Sequence, residues 1–363
     1  MKFTRNYLTR EQRLIEIIKT VTGSQSLGDD CAILAGGQLV TSDMLVEGRH
    51  FLLDLTDFHS LGWKCMAVNL SDIAAMGGSP TFAIVDIAWP SSFSDEEFQA
   101  LYSGLQECAA RFNTQIVGGD ITGSEKLVCA VTVSGQSPSS GAILRSGARP
   151  GMLLVSTGNF GASACGLDKL QQLLKRSMEC SVSEDSSLEC SVRRRIESVK
   201  AAIELAQTCY PVQRHLRPMP RMESASKLVN CLRSGGALMD TSDGLADAAL
   251  QIARMSGVSI ELDLALIPIH AQTRELAQES GEPILDLVLY GGEDFELFAC
   301  IDPLDWERLS ADAVVLNDVD GKSIDSNFTV IGKTLVGDEV FVVDENGEKF
   351  AVENNRTYQH FSS

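Results

Sequence analysis

The sequence predicts a mixed α/β (α+β) fold in two domains. Three observations carry that expectation. Short apolar, β-branched runs alternate with amphipathic stretches throughout. At 363 residues and 44 % hydrophobic content, the chain can bury two cores. Between the alternating halves lies "SGQSPSSGAILRSGARPG" (134–151), whose Ser, Gly and Pro mark a boundary. The first domain is therefore expected over 1–138 and a larger α/β domain over 149–363.

"QLVTSD" (38–43), "TFAIVDIAW" (81–89) and "LVCAVTVSG" (127–135) read as strands. Between the first two, 61–76 reads as a helix stopped by Gly77-Gly78, with Pro80 beyond. Residues 94–112 read as a second helix. Ser94 and Glu97 form a capping box there, and Phe98, Leu101, Tyr102, Leu105, Ala109 and Phe112 share one stripe. Past the boundary, "MLLVSTGNFGASACGLDKL" (152–170) reads as strand, glycine loop and helix. "ECSVSEDSSLECSVRRR" (179–195) repeats "ECSV" ten residues apart, too short a period for a solenoid. It reads as part of a solvated insertion over about 177–198.

Charge narrows the function. With 49 Asp+Glu against 30 Lys+Arg, the formal net charge is −19, which argues against nucleic acid and anionic membranes as partners. Anionic ligands stay open if metal cations carry the positive charge. No apolar run approaches the ~18 residues of a membrane span, and the first residues lack the apolar centre of a signal peptide. A cytoplasmic location is expected. The ten cysteines form no C-x-x-C pair and the five histidines no H-E-x-x-H, so zinc and thioredoxin motifs are absent.

"MDTSDGL" (239–245) sets Asp240 and Asp243 beside Thr241 and Ser242, between apolar flanks. Like charges this close repel unless a cation or donor array holds them. Similar acidic turns occur at "GDD" (28–30), "TSD" (41–43), "GGD" (118–120) and "GGED" (291–294). Each alone reads as an ordinary turn. As a set of short oxygen ligands after apolar strands they suit Mg²⁺. Asp72, near a helix C-terminus, opposes the helix dipole, so another role is expected to retain it. Asn69, one turn earlier, could share its ligand.

Magnesium raises the question of a nucleotide, yet neither a P-loop nor a Rossmann fingerprint is present. "STGNFGAS" (156–163) reads equally as a phosphate-binding helix N-terminus or as a plain strand-to-helix turn. Arg145, Arg149 and the arginines of "RHLRPMPR" (214–221) read as phosphate ligands or as solvated surface. His50 is a lone histidine in "EGRHF". From the residues alone, the chain is a Mg-dependent, phosphate-handling α/β protein.

These motifs in this order resemble the thiamine-monophosphate kinase family of the aminoimidazole-ribonucleotide-synthetase-like superfamily. The carriers are "GDDCAIL", "TSDMLVEGRHF", "AVNLSDIAAMGG", "IVGGDITG", "LRSGARPG", "HLRPMPR", "DTSDGLADAALQIA", "YGGEDFEL" and the terminal "YQHF". The resemblance implies an N-terminal sheet that pairs with that of a second subunit in a homodimer, and a larger C-terminal α/β domain. It implies ATP as co-substrate and thiamine monophosphate as acceptor, in the final step of thiamine diphosphate synthesis. By motif, Asp30, Thr41, Ser42, Asp43, Asp72, Asp120, Asp240 and Asp243 resemble ligands for several Mg²⁺ ions. Tyr102, Gly119, Asp120, Arg145 and Ser242 resemble ATP contacts. His50, Glu293 and Tyr358 resemble substrate contacts. Thr41-Ser42 stands where the family often shows Ser-Thr, and both hydroxyls are kept. The insertion touches no matched motif.

The nucleophile so implied is a phosphate that is largely dianionic at neutral pH, its second pKa being about 6. No general base is expected, and none is legible in the sequence. Other ATP-dependent enzymes of the superfamily, or a non-catalytic Mg-nucleotide sensor, are the competing readings. Among the former, selenophosphate synthetase usually carries a reactive residue ahead of the metal motifs, whereas the first cysteine here is Cys31, after Asp30. The hydrogenase-maturation dehydratase ends in a modifiable cysteine, and this chain ends "YQHFSS".

Overall fold

The computed structural model describes residues 10–24, 27–180, 188–311, 316–317, 323–324, 328–353 and 356. The first half runs α1 (Arg10–Thr22), β1 (Ala32–Ile33), β2 (Gln38–Val46), α2 (Phe58–Ala75), β3 (Ser79–Pro90), α3 (Asp95–Arg111), β4 (Gln115–Gly118), β5 (Ile121–Ser124) and β6 (Val128–Gln136). Its strands form a six-stranded sheet in the order β1-β2-β6-β3-β4, with β5 also on β3. The three strands and two helices expected here are present. The capping box of Ser94 and Glu97 is formed as read. Helix α2 starts earlier than its apolar period suggests, because the Asp57 side chain accepts from the Ser60 N–H at 2.8 Å and caps it.

Helices α2 and α3 cover one face of this sheet, burying Leu61, Leu70, Leu101 and Leu105 against Val85, Val131 and Val133. The two helices cross through paired glycines. A Cβ on Gly62 would lie 2.0 Å from the Leu101 carbonyl oxygen, and one on Gly104 1.9 Å from that of His59. No side chain fits at either position, which explains two glycines inside helices where they otherwise cost stability. On the opposite sheet face Met44, Phe82 and Ile84 are exposed.

The second half runs β7 (Leu153–Thr157), α4 (Ala162–Cys180), α5 (Leu188–Ala206), α6 (Tyr210–Leu216), α7 (Met222–Cys231), β8 (Gly236–Asp240), α8 (Leu245–Ser256), β9 (Ser259–Asp263), α9 (Ala271–Ser280), α10 (Ile284–Tyr290), β10 (Leu297–Ile301), α11 (Pro303–Ala311), β11 (Leu316–Asn317), β12 (Ser323–Ile324), β13 (Phe328–Leu335), β14 (Val340–Val343) and β15 (Lys349–Ala351). Seven of its strands form a sheet in the order β15-β14-β9-β13-β7-β10-β8. Only the β14–β9 pair in it is parallel. Helices α8 and α10 pack on one face, where Ile252 and Val288 meet Leu154, Met239 and Phe298. The other face takes α7, α11 and Ala74 and Ala75, the last turn of α2. That helix therefore packs on both sheets, and its C-terminal end lies where they meet.

Where described, the stretch read as a solvated insertion is helical. Helix α4 runs on to Cys180, and α5 begins at Leu188. Ser198 and Ala202 are buried a turn apart, with Leu205 beyond, and Ala202 packs with Leu170, Val212 and Leu216. Charged residues on the outer face of α5, Glu197 and Lys200 among them, mask that inward stripe in the sequence. Arg195 leaves α5 to lie 5.4 Å from the ring centres of both Phe58 and Phe93. The eight cysteines whose side chains are described are all buried, and none of them is in a disulfide.

Candidate functional site

At the meeting of the two sheets three carboxylates converge. Asp30 precedes β1, Asp72 sits in the last turn of α2, and Asp240 ends β8. One oxygen from each lies within 4.8 Å of the others. Asp240 is 1 % exposed. Its Oδ2 accepts from the Ser71 hydroxyl at 2.6 Å, while its buried Oδ1 has no hydrogen-bond partner among the described residues. A buried, unpaired carboxylate oxygen is costly, so this is where a cation fits.

The charges respond accordingly. Burial first, then Asp30, pushes the Asp240 carboxyl up to about 7, against the opposing Ser71 hydrogen bond and Arg145. Burial also drives Asp72 well above the carboxylate range, with Asp43, Asp240 and Asp30 adding to it and the Thr41 hydrogen bond opposing. Asp30 alone has a full cationic partner: Arg145 donates from Nη2 at 2.7 Å and Nε at 3.2 Å. The same guanidinium donates to Gln251 Oε1 at 2.6 Å, and Gln251 donates onward to Asp247 at 2.6 Å. Asn69 does not share the ligand of Asp72. It is buried, accepts from the Asp43 N–H at 2.9 Å and donates to the Cys65 carbonyl at 3.1 Å, fastening β2 to α2.

The cluster opens into a cavity of about 1380 Å³, lined by Asp30, Thr41, Ser42, Asp43, Asp72 and Arg145 among the sequence-read residues, and at its other walls by Ser242, Asp243, His50 and Glu293. That volume exceeds the usual single-ligand pocket. Nδ1 of His50 accepts from the Val46 N–H at 3.0 Å, so the neutral ring carries its proton on Nε2 and can donate from there. Glu293 stands at the turn after Gly292 with φ +66°, its N–H bonded to the Ser242 carbonyl at 2.6 Å.

Other sequence-read residues lie elsewhere. Tyr102, on α3, packs against Phe98 with ring centres 5.0 Å apart. Gly119 and Asp120 join β4 to β5. Gly119 has φ +153° and its Cβ would meet the Val85 oxygen at 1.8 Å, so only glycine fits. The exposed Asp120 donates its N–H to Asp86 at 2.8 Å. None of these three lines the cavity. Tyr358 lies outside the described residues.

Two motifs have internal duties instead. The 156–163 loop and the start of α4 do present N–H groups to an anion, but that anion is Asp294: Gly161 and Ser163 donate to its carboxylate at 2.7 and 2.9 Å. Arg214 and Arg221 are buried and clamp the fully buried Glu296, which also accepts from the Thr157 hydroxyl at 2.7 Å. They are neither solvated surface nor free for phosphate. What the sequence reading missed is Lys64, 4 % exposed and 3.0 Å from Glu293. Its spacing was a usable signal, since Lys64, Val68 and Asp72 fall one turn apart on α2 and all line the cavity.

The chain matches the model of the AIR synthase related protein N-terminal domain over residues 28–137. It is 36 % identical over 296 residues to the thiamine-monophosphate kinase of Bacillus subtilis (strain 168), covering 80 % of this chain and 82 % of that one. It is 34 % identical over 327 residues to that of Synechococcus elongatus, covering 86 % and 90 %. The structure named "AaThiL complexed with AMPPCP and TMP" superposes with TM-score 0.75 at 28 % identity, over 99 % of this chain and 100 % of that one.

Proposed function

The chain belongs to the thiamine-monophosphate kinase family, whose members are phosphotransferases, and from that premise we propose that it passes the γ-phosphoryl group of ATP directly to the phosphate of thiamine monophosphate. The observation that carries this reading is the Asp30–Asp72–Asp240 cluster, buried at Asp30 and Asp240 and half-buried at Asp72, with its unpartnered Asp240 oxygen, opening into a cavity large enough for two substrates. The solved relative whose name records both AMPPCP and TMP supports the pairing of nucleotide and acceptor.

Asp30, Thr41, Ser42, Asp43, Asp72, Asp120, Asp240 and Asp243 are assigned to hold Mg²⁺. Bound there, magnesium supplies the positive charge that lets two polyanions approach. The protein's own share is orientation. Ser242 and Arg145 face the nucleotide, while Tyr102, Gly119 and Asp120 are assigned to it on the resemblance. Nε2 of His50 donates to the acceptor phosphate, with Glu293 and Tyr358 as further acceptor contacts. A phosphate dianion needs no base, so the barrier falls through in-line positioning and charge neutralisation.

The exposed apolar face of the first sheet supports a homodimer joined there. Residues 1–138 are assigned to nucleotide binding and dimerisation, and 149–363 to the second domain. Among the described residues no helix is long and apolar enough to cross a membrane; with the −19 charge, this supports a cytoplasmic enzyme.

The test is incubation with ATP, Mg²⁺ and thiamine monophosphate, followed by chromatography of the thiamine esters. Thiamine diphosphate should form with all three and vanish with EDTA. ATP turnover with a different acceptor, and none with thiamine monophosphate, would defeat the proposal.

A further inference from the structure

One buried cation in the cavity wall is absent from the scheme above. Lys64 sits on α2 with its side chain 5 % exposed and its Nζ 3.0 Å from Glu293 Oε1. His215 approaches the other carboxylate oxygen at 3.5 Å. That second contact is not an ion pair. Burial, helped by the charge of Lys64, pushes the His215 ring down to about 3, so at neutral pH it is uncharged and also within 3.0 Å of the Ser163 hydroxyl.

Glu293 is thus held at three points. Its backbone has a left-handed φ of +66°, unusual for a side-chain-bearing residue, and its N–H is tied to Ser242. Its Oε1 is fixed by Lys64, and its side chain keeps 33 % exposure, into the cavity that Lys64 and His215 also line. Burial by itself pushes this carboxyl upward. Lys64, through its charge and its hydrogen bond, reverses that and keeps it below the usual range.

An ionised carboxylate repels a phosphate and attracts a cation. The acceptor assigned above carries both, a phosphate and a cationic thiazolium ring. Leu61, Leu216 and Phe295 line the same cavity, one helical turn from Lys64, next to His215 and two residues past Glu293 respectively. Those apolar side chains suit a flat ring.

We propose that Lys64 is a positioning residue for the acceptor: it fixes the Glu293 carboxylate as the anion that receives the acceptor's cationic ring. The inference rests on the function proposed above. Lys64 acts through Glu293 and does not touch the reacting phosphates, so its loss should weaken acceptor binding and leave the chemical step largely intact.

The experiment measures kcat, KM for thiamine monophosphate and KM for ATP in Lys64→Met, Lys64→Arg, Glu293→Gln and the Met/Gln double variant. Lys64→Met should raise the acceptor KM by at least about tenfold, with kcat and the ATP KM within about threefold. Lys64→Arg, which restores the charge, should recover most of that loss. The double variant should be no worse than Glu293→Gln alone, because the lysine has then lost the group it acts through. If Lys64→Met does not fold, Lys64→Gln carries the same comparison. An unchanged acceptor KM, or a lysine effect that multiplies fully onto that of Glu293→Gln, would overturn the proposal. A wild-type enzyme that does not phosphorylate thiamine monophosphate would instead defeat the function itself.

Discussion

Asp72→Asn is expected to lower turnover by at least ~10³-fold, the scale of losing a principal electrostatic stabiliser. Asp72 faces Asp30, Asp43 and Asp240, and accepts a hydrogen bond from Thr41. Asparagine keeps its shape and removes one charge from the centre of the cluster. The cations that screen the two substrates from each other would then be lost or misplaced. The fold should survive, because the substitution relieves repulsion at a helix C-terminus, where a carboxylate is already disfavoured. Steady-state kinetics at saturating ATP and Mg²⁺, beside a metal-free melting curve, checks both halves. Near-normal turnover would contradict the assigned role.

Asp240→Asn should reveal the same cluster through stability. The folded-state carboxyl titrates at about 7, against ~3.9 for an ordinary aspartate in an unfolded chain. A raised acid pKa means that the native state binds the proton more tightly. Its contribution is present at low pH and is lost as pH climbs from about 4 through 7. Asparagine mimics the protonated form. The metal-free variant's advantage over the wild type should therefore be smaller at pH 5 and grow to at least ~2 °C at pH 8. Added Mg²⁺ should raise the wild-type melting temperature at pH 8 by binding the native state, and raise that of the variant much less. Equal responses to Mg²⁺ would remove Asp240 from the ligand set.

Much of this was legible in the sequence. Alternation of apolar runs with helical stripes locates β2, β3, β6 and α3 to within a few residues, because each buries one face and its period survives in the side chains. The acidic turns were legible as a set, and the structure brings Asp30, Asp72 and Asp240 together. Harder to read were features that depend on tertiary partners. The α4 N-terminus has the composition of a phosphate loop, yet Asp294, from the distant segment just ahead of β10, occupies it. Arg214 and Arg221 look like surface residues until Glu296 is known to lie buried between them. The inner stripe of α5 is masked by its outer charges. Lys64 was visible by spacing alone, but its significance lies in Glu293, more than two hundred residues away.

The central claim is direct in-line transfer between two phosphates, with no covalent enzyme intermediate. Its most direct test uses ATP made chiral at the γ-phosphorus by oxygen isotopes, with the configuration of the transferred group determined in thiamine diphosphate. A single in-line displacement predicts inversion. Retention would demand two displacements through a phosphorylated protein group, and would contradict the account.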